Sequence, residues 1–390
     1  MSRTAFAARR RQARSSREFR LLLFSALLFC LVLAWCHSTY EHHFDNSQHP
    51  SSRARPESEA PSARIRPRPP PHQQAARMRV DLDGRTMAQE VIASPDDATG
   101  ATGTGMATAT TMPLRLVTFN IRFATKPDER AGGERPWSVR CPRLGAQLRF
   151  VTAGHESPFI CLQEVLHAQV GDVQAQLGSS WAHIGRGRGD NETDGEFSPV
   201  FYRADVWRCV RNETRWLSPT PEKPSRGWDA VLNRIVTMGE FSHRTKGTRV
   251  VVMSTHFDHM GVKARTNSAK LLIKFAKEWT RSGHVRPSVV LVGGDFNSSP
   301  HEEAYQVMTE RGSGMLDVAD LVPEERRYGN HLTYTSFGEP NETPSRIDFL
   351  FIQDPHTARV DTFGVLANSF DDQIRVSDHR AVVADFTVKT

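Results

Sequence analysis

Ser288 to Pro300 reads SVVLVGGDFNSSP. The short apolar run, rich in β-branched residues, reads as a strand, and the glycines after it allow another backbone to come close. Asp295 and Asn297 follow, two residues apart, so an extended chain presents both on one side. A carboxylate beside a carboxamide can activate water and hold a phosphoryl oxygen. That pairing at a strand end directs the search through the rest of the chain.

Working outward, similar β-rich runs recur from Pro113 onward: LRLVTFNI, FICLQEV, SPVFYR, NRIVTMGEF, RVVVMSTHF, RIDFLFI and HRAVVADFTV. Between several of them lie helical patterns, RCPRLGAQLRFVTAG, AQVGDVQAQLG, KARTNSAKLLIKFAKEWTRSG and EEAYQVMTERG. Strands interleaved with helices, some with one-sided alternation, predict two sheets packed face to face under outer helices. The expected fold is therefore α/β, a four-layer α/β/β/α sandwich. A doubly wound nucleotide-binding sheet is disfavoured, because no GxGxxG follows a strand and GRGRGD precedes no clear helix.

The strand ends carry the chemistry. Asn120 closes TFN and Glu164 closes FICLQE, where burying an unpaired carboxylate would be costly unless it met a metal or a partner. STHFDH supplies His256, which can face a phosphate, and Asp258, which can shape the loop behind it. RIDF supplies Asp348 and VSDH supplies Asp378 and His379. An aspartate accepting the Nδ1 proton of a histidine fixes its tautomer and raises its basicity, and neighbouring strands can bring Asp348 to His379 in that way. Taken singly, each of these residues also fits an ordinary strand end or a structural histidine. Acidic, amide and imidazole groups recurring together point to a hydrolase that holds a hard divalent cation against a phosphate.

The first quarter of the 390 residues is unlike the rest, so one folded domain is expected, 113–390. Residues 1–20 carry seven arginines and no lysine, and 21–36 form the apolar run LLLFSALLFCLVLAWC. Sixteen residues is short of the roughly 20 that a span needs, though flanking Phe19 and a snorkelling Arg20 can extend it. A cleaved signal peptide and a buried core helix are the alternatives to an uncleaved signal anchor. The first lacks a clean small-residue cleavage site and the second has no folded flanks. Positive charge before the span predicts a single-pass type II membrane protein with its catalytic domain lumenal or extracellular, or else a secreted one. Residues 37–112, rich in Pro, Ser, Thr, Ala and Arg, read as a disordered linker suited to O-glycosylation. N-x-[ST] triplets at Asn191, Asn212, Asn297 and Asn341 permit such a location. Asn297 is expected to stay unmodified, since a glycan there would block the cleft. Cys161 reads as buried, and Cys141 with Cys209 could form one disulfide. The net charge of +6 is partly owed to the N-terminal arginines and is no nucleic-acid footprint.

TFN, QE, STHFD, GDFN, RIDF and SDH, in that order across Leu114 to Val388, resemble the endonuclease/exonuclease/phosphatase superfamily. That superfamily includes DNase I, apurinic endonucleases, inositol polyphosphate 5-phosphatases, neutral sphingomyelinases and CCR4-type deadenylases. The resemblance implies Mg²⁺ or Mn²⁺ and in-line attack by water on a phosphoester. It implies Glu164 as principal metal carboxylate, Asn120 as its supporting amide and Asp378 as a second metal or organising carboxylate. Asp295 would activate water, Asn297 would bind phosphate, and His379, oriented by Asp348, would face the phosphate. His256 would be the second histidine and Glu196 its carboxylate partner. Arg122 stands where apurinic endonucleases place a metal-binding aspartate, and an intact 5-phosphatase signature is missing. The best subgroup resemblance is to poorly characterised members with an SRGWDA-like loop and STHFDHxG-x₂-AR, loosely grouped with CCR4-type proteins. There Arg226, Trp228 and Asp229 would line the substrate mouth, with Asn233 and Arg234 facing the site from the next strand. Trp228 packing a loop is an equally good reading.

The expected activity is a metal-dependent phosphoesterase, a phosphodiesterase first, working as a monomer on a phosphoester of open class. RNA or DNA would want a longer basic groove with stacking residues than Arg226, Arg234, Trp228 and the RGRG stretch provide. A phospholipid diester suits a membrane anchor, and a sugar phosphate suits a small loop-built pocket. A non-catalytic binding module predicts a lost ligand or histidine, and the set is complete.

Overall fold

The computed structural model describes residues 110–281, 285–353 and 355–390. The basic tail, the anchor and nearly all of the linker expected from the sequence lie outside them. Among the described residues no helix is long and apolar enough to cross a membrane.

Two mixed sheets face each other. The first contains β1 (Thr111–Asn120), β2 (Pro158–Gln163), β3 (Trp181–Ile184), β4 (Val200–Arg203), β10 (Arg327–Gly329), β12 (Ala358–Val365) and β13 (Val382–Lys389), ordered β10-β12-β13-β1-β2-β4-β3. The second contains β5 (Trp207–Trp216), β6 (Ile235–His243), β7 (Arg249–His256), β8 (Val289–Asp295), β9 (Met315–Asp317) and β11 (Asp348–Gln353), ordered β5-β6-β7-β8-β11-β9. Helices α1 (Trp137–Thr152) and α2 (His167–Leu177) cover the first sheet, while α3 (Val262–Arg281) and α4 (Glu303–Thr309) cover the second. This is the four-layer α/β/β/α sandwich.

Strand alternation sorts the core into three layers. From β1, Met112, Leu114 and Leu116 enter the core between the sheets, whereas Val117 and Phe119 join α1 and α2. From β8, Val289 and Leu291 face the opposite sheet, whereas Val290 and Val292 pack on α3. Followed along their strands, the rows that face the opposite sheet turn polar at one end. Leu114 and Leu116 lead to Thr118 and Asn120, Val252 leads to Ser254 and His256, and Leu291 leads to Gly293 and Asp295. The period of two that builds the core thus also aims the polar groups.

At Gly293 the two sheets approach closely, since a Cβ there would stand 3.0 Å from Thr118 Cβ and 3.2 Å from Cys161 Cβ. Gln163 fills the polar layer beside it, donating to Thr118 Oγ1 at 3.2 Å and Ser254 Oγ at 3.3 Å.

The folded region opens before residue 113, since Thr111 and Met112 already pair with Lys389 and Val388. Only the distant C-terminal strand gives those residues a partner, so local composition hides them. Cys141 and Cys209 are free, and so is Cys161, which is fully buried as expected.

Candidate active site

The register of the second sheet sets three site residues in a row. His256 pairs with Asp295 across the parallel β7/β8 ladder, and Asp295 pairs with Asp348 across the antiparallel β8/β11 ladder. Opposite them, β1 ends at Asn120 and β2 leads into Glu164, whose φ of 58° turns the chain sharply out of the strand. Asn297 is also left-handed, at φ 45°. Such backbone costs about 1–3 kcal/mol per residue and persists where surrounding bonds fix it.

Those bonds are present. Asn120 Nδ2 donates to Glu164 Oε1 at 3.0 Å and to Asp295 Oδ2 at 2.9 Å, so one amide ties both sheets together. The Phe123 N–H donates to Glu164 Oε2 at 3.3 Å, and Arg122 lies 3.7 Å from the same oxygen. The Asn297 N–H donates to Asp295 Oδ1 at 2.8 Å. Asn297 Nδ2 reaches Phe257 O at 3.0 Å and His256 Nε2 at 2.9 Å, which makes that nitrogen the acceptor. His379 Nδ1 bonds Asp348 Oδ2 at 2.8 Å, leaving Nε2 3.7 Å from Asp295. Glu196 is 3.9 Å from His256 Nδ1 but is bonded more closely by Arg188, at 2.8 Å. Asp378 accepts from Ser377 Oγ at 3.2 Å.

These groups surround a cavity of ≈ 610 Å³. Its wall includes Glu164, Glu196, Arg234, His256, Asp295, Asn297, Asp378 and His379, while Asn120 and Asp348 support it from behind. Other proposed substrate residues stand elsewhere. Asp229 turns to α3, accepting the Lys263 N–H at 3.2 Å and the Ala264 N–H at 2.7 Å, a capping role invisible until the loop meets the helix. Asn233 donates to Arg188 O at 3.2 Å, and Arg226 donates to Val231 O at 3.4 Å. Trp228 is 42% exposed and contributes nothing to the wall. Asp258 shapes its loop as expected, accepting the Gly261 N–H at 2.8 Å and the Met260 N–H at 3.1 Å.

Sequence reasoning passed over several wall residues, including Tyr334, Glu302 and Ser345, and noted Arg122 only as a departure from the apurinic endonucleases. Tyr334 meets His379 edge-on with ring centroids 5.1 Å apart, though 45 residues separate them in sequence. The displaced Arg122 beside Asn120 was the one available signal. Arg140 was also missed. It is wholly buried and donates to Ile121 O, Arg122 O, Phe123 O and Val376 O, holding the loops that carry Arg122 and Asp378.

Charge is distributed unevenly over the site. Burial opposes ionisation of Glu164, yet Arg122 and the Asn120 bond outweigh it and hold its pKa below the usual carboxylate value. Asp295 is pushed up to about 7 by burial and by Asp348. Burial and Glu164 likewise raise Asp378 and Glu196. Burial opposes charge on His379, but Asp348 and Asp295 prevail and hold its pKa well above the ordinary imidazole value. His256 goes the other way, lowered by burial and by Arg234 and Arg188.

Crowded carboxylates with raised pKa values are the setting that a hard divalent cation relieves, and oxygen donors suit Mg²⁺ or Mn²⁺. Asp295, Asp348 and His379 also bring ligand atoms within 4.8 Å of one another. The short Asp348–His379 bond occupies one ligand atom of each in that group, and Glu164 and Asp378 offer further carboxylate oxygens in the same cavity wall.

Fold and site together define a phosphoester hydrolase of the DNase I-like class. The chain belongs to the Endonuclease/Exonuclease/phosphatase family, whose sequence profile matches residues 117–379. Among solved structures, a Bacteroides vulgatus endonuclease/exonuclease/phosphatase is 31% identical, covering 71% of this chain and 99% of its own, with a TM-score of 0.63. A mannosyl-6-phosphatase of Bacteroides thetaiotaomicron is 30% identical over 70% of this chain and 99% of its own, with a TM-score of 0.61. D. rerio TDP2, complexed with a single-strand DNA product, shares the fold at 18% identity over 70% of this chain and 98% of its own, with a TM-score of 0.52. No curated protein sequence matches the chain.

Proposed function

We propose that this chain is a divalent-metal-dependent phosphomonoesterase acting on a phosphorylated sugar or a similarly small polar phosphoester. The observation that carries this reading is the cavity itself, whose wall combines carboxylates, an amide, three histidines and guanidinium groups. Phe123 and Tyr334 are its only aromatic lining residues among those described, and Trp228 stands apart from the wall. A polynucleotide reader would be expected to offer a longer stacking platform. The mannosyl-6-phosphatase, at 30% identity, supports the same substrate class. Monoesters therefore take precedence here over the diesters expected from the sequence.

The residues divide the work as follows. Glu164 and Asp378, braced by Asn120, would hold the cation, which when bound polarises a phosphoryl oxygen and offsets charge as it develops. Ionised Asp295 accepts the proton of the attacking water, and Asn297 fixes that carboxylate through its backbone N–H. Cationic His379, its Nδ1 held by Asp348, donates from Nε2 to the phosphoryl group. Neutral His256 accepts at Nε2 from Asn297 and keeps that amide oriented.

The test uses purified full-length protein with Mg²⁺ or Mn²⁺ against sugar phosphates, RNA, DNA, sphingomyelin and phosphoinositides. Metal-dependent phosphate release from a sugar phosphate, abolished by Glu164→Gln, is the expected result. Cleavage of polynucleotide alone would overturn the monoester reading. Membrane anchorage through 21–36, with the catalytic domain lumenal or extracellular, forms part of the proposal and rests on the sequence.

A further inference from the structure

Arg234 is 5% exposed and forms part of the cavity wall, yet its Nη1 is buried without a hydrogen-bond partner. The rest of the guanidinium is held in place. Nη2 lies 3.0 Å from His259 Nδ1, and Nε lies 3.5 Å from Asp258 Oδ2. Since arginine only donates, His259 accepts at Nδ1 and brings no negative charge. Asp258, which also accepts the backbone N–H groups of Leu232, Met260 and Gly261, balances the guanidinium charge as a buried ion pair but leaves Nη1 without a partner.

Two neighbouring guanidinium groups have shorter carboxylate bonds: Arg265 meets Glu302 at 3.0 Å, and Arg188 meets Glu196 at 2.8 Å. Arg234 is thus a fixed, buried guanidinium whose Nη1 donor is unused, an arrangement that costs free energy until an acceptor arrives.

Its place in the sheet separates it from the reacting centre. Arg234 immediately precedes β6, whose Val236 pairs with Thr255 of β7, so by that register it stands level with Phe257, one residue past His256, on the side away from Asp295. Two strand spacings, roughly 10 Å, separate its backbone from that of Asp295. The bonds to His259 and Asp258 draw its side chain towards the loop after β7, away from Glu164 and Asp378.

We propose that Arg234, with His259 beside it, forms a second oxyanion subsite, so that the preferred substrate carries a phosphate or carboxylate besides the phosphoryl group that reacts. This inference rests on the phosphoesterase reading and narrows its substrate class.

Binding read by calorimetry on full-length His379→Ala, with Mg²⁺ present, tests it without turnover. The probes are glucose 6-phosphate, 6-phosphogluconate and glucose 1,6-bisphosphate, which carry no second anion, a carboxylate and a second phosphate. At least one bis-anionic probe should bind about tenfold tighter than glucose 6-phosphate. Adding Arg234→Gln should erase that preference while leaving glucose 6-phosphate affinity within about threefold, and Arg234→Lys should retain part of it. Equal binding of all three probes by the parent would overturn the subsite. Equal loss of all three in a folded Arg234→Gln variant would also overturn it, by placing Arg234 on the reacting phosphate. If Arg234→Gln does not fold, the lysine variant and the parent's probe ranking decide. A wild-type chain that ranks the probes as expected but hydrolyses no phosphoester would support the subsite and remove the hydrolase reading. Turnover with no ranking would do the reverse.

Discussion

His379 and Asp295 share one cavity but are tuned for opposite duties. Asp348 stabilises the imidazolium of His379 against the cost of burial, whereas burial and Asp348 both discourage a charge on Asp295. His379→Ala is expected to lower kcat by a factor of about 10² or more. Circular dichroism and metal affinity should stay nearly unchanged, and retention of wild-type turnover would remove His379 from the reaction. Asp295 supplies a pH prediction with a definite sign. A raised carboxylate is protonated below its pKa, about 7 before a cation binds, so the base is lost and the rate falls as pH drops through the Asp295 pKa. Added positive charge favours the carboxylate, so raising Mg²⁺ should shift that limb to lower pH. A pH–rate profile at two Mg²⁺ concentrations checks both statements, and a limb that ignores metal would separate Asp295 from the metal site.

Elements place these residues through register more than through local propensity. β7, β8 and β11 bring His256, Asp295 and Asp348 level, and a slip of one residue would turn each of them from the opposite sheet towards the helices. Helix α3 shows how a loop residue can serve an element when its sequence suggests a ligand. The Asp229 carboxylate accepts two N–H groups of the first turn of α3. Asp229→Ala is accordingly expected to lower the melting temperature while leaving KM for the preferred phosphoester unchanged. A raised KM with unaltered melting would return Asp229 to the substrate mouth, where the SRGWDA resemblance had set it.

Across the whole molecule, the first sheet is tied by one bidentate pair. Arg115 of β1 meets Asp385 of β13 through two bonds of 2.7 Å, while Arg115 also reaches Val151 O of α1 at 2.7 Å and Asp385 accepts from Thr362 of β12 at 2.6 Å. Burial alone would raise the Asp385 pKa, but these bonds outweigh it and hold it below the ordinary value. A depressed carboxylate stabilises the fold above the unfolded-state pKa of about 4, and that contribution is lost as pH falls through the folded-state value. Asp385→Asn should therefore cost about 1–2 kcal/mol at pH 7, with the gap to wild type closing as the solution is acidified below about pH 4. Urea midpoints at both pH values measure it, and a gap that persisted in acid would assign the loss to packing.

Much of this protein was legible in the chain because its signals are local. Alternating apolar runs define strands, and a polar group at the end of such a run needs a partner once it is buried, so Asn120, Glu164, His256, Asp295, Asp348, Asp378 and His379 stood out in order. What required tertiary structure was every pairing between distant segments. Arg140 reaches carbonyls on both sides of the site, Tyr334 meets His379 across a long loop, and Asp229 finds its partner only when α3 arrives. The same holds for Arg234, whose type was visible in the sequence but whose unmatched donor was not. Hydrophobic periodicity is written into neighbouring residues, whereas whether a buried charge is satisfied depends on which remote groups the fold brings within about 3 Å of it.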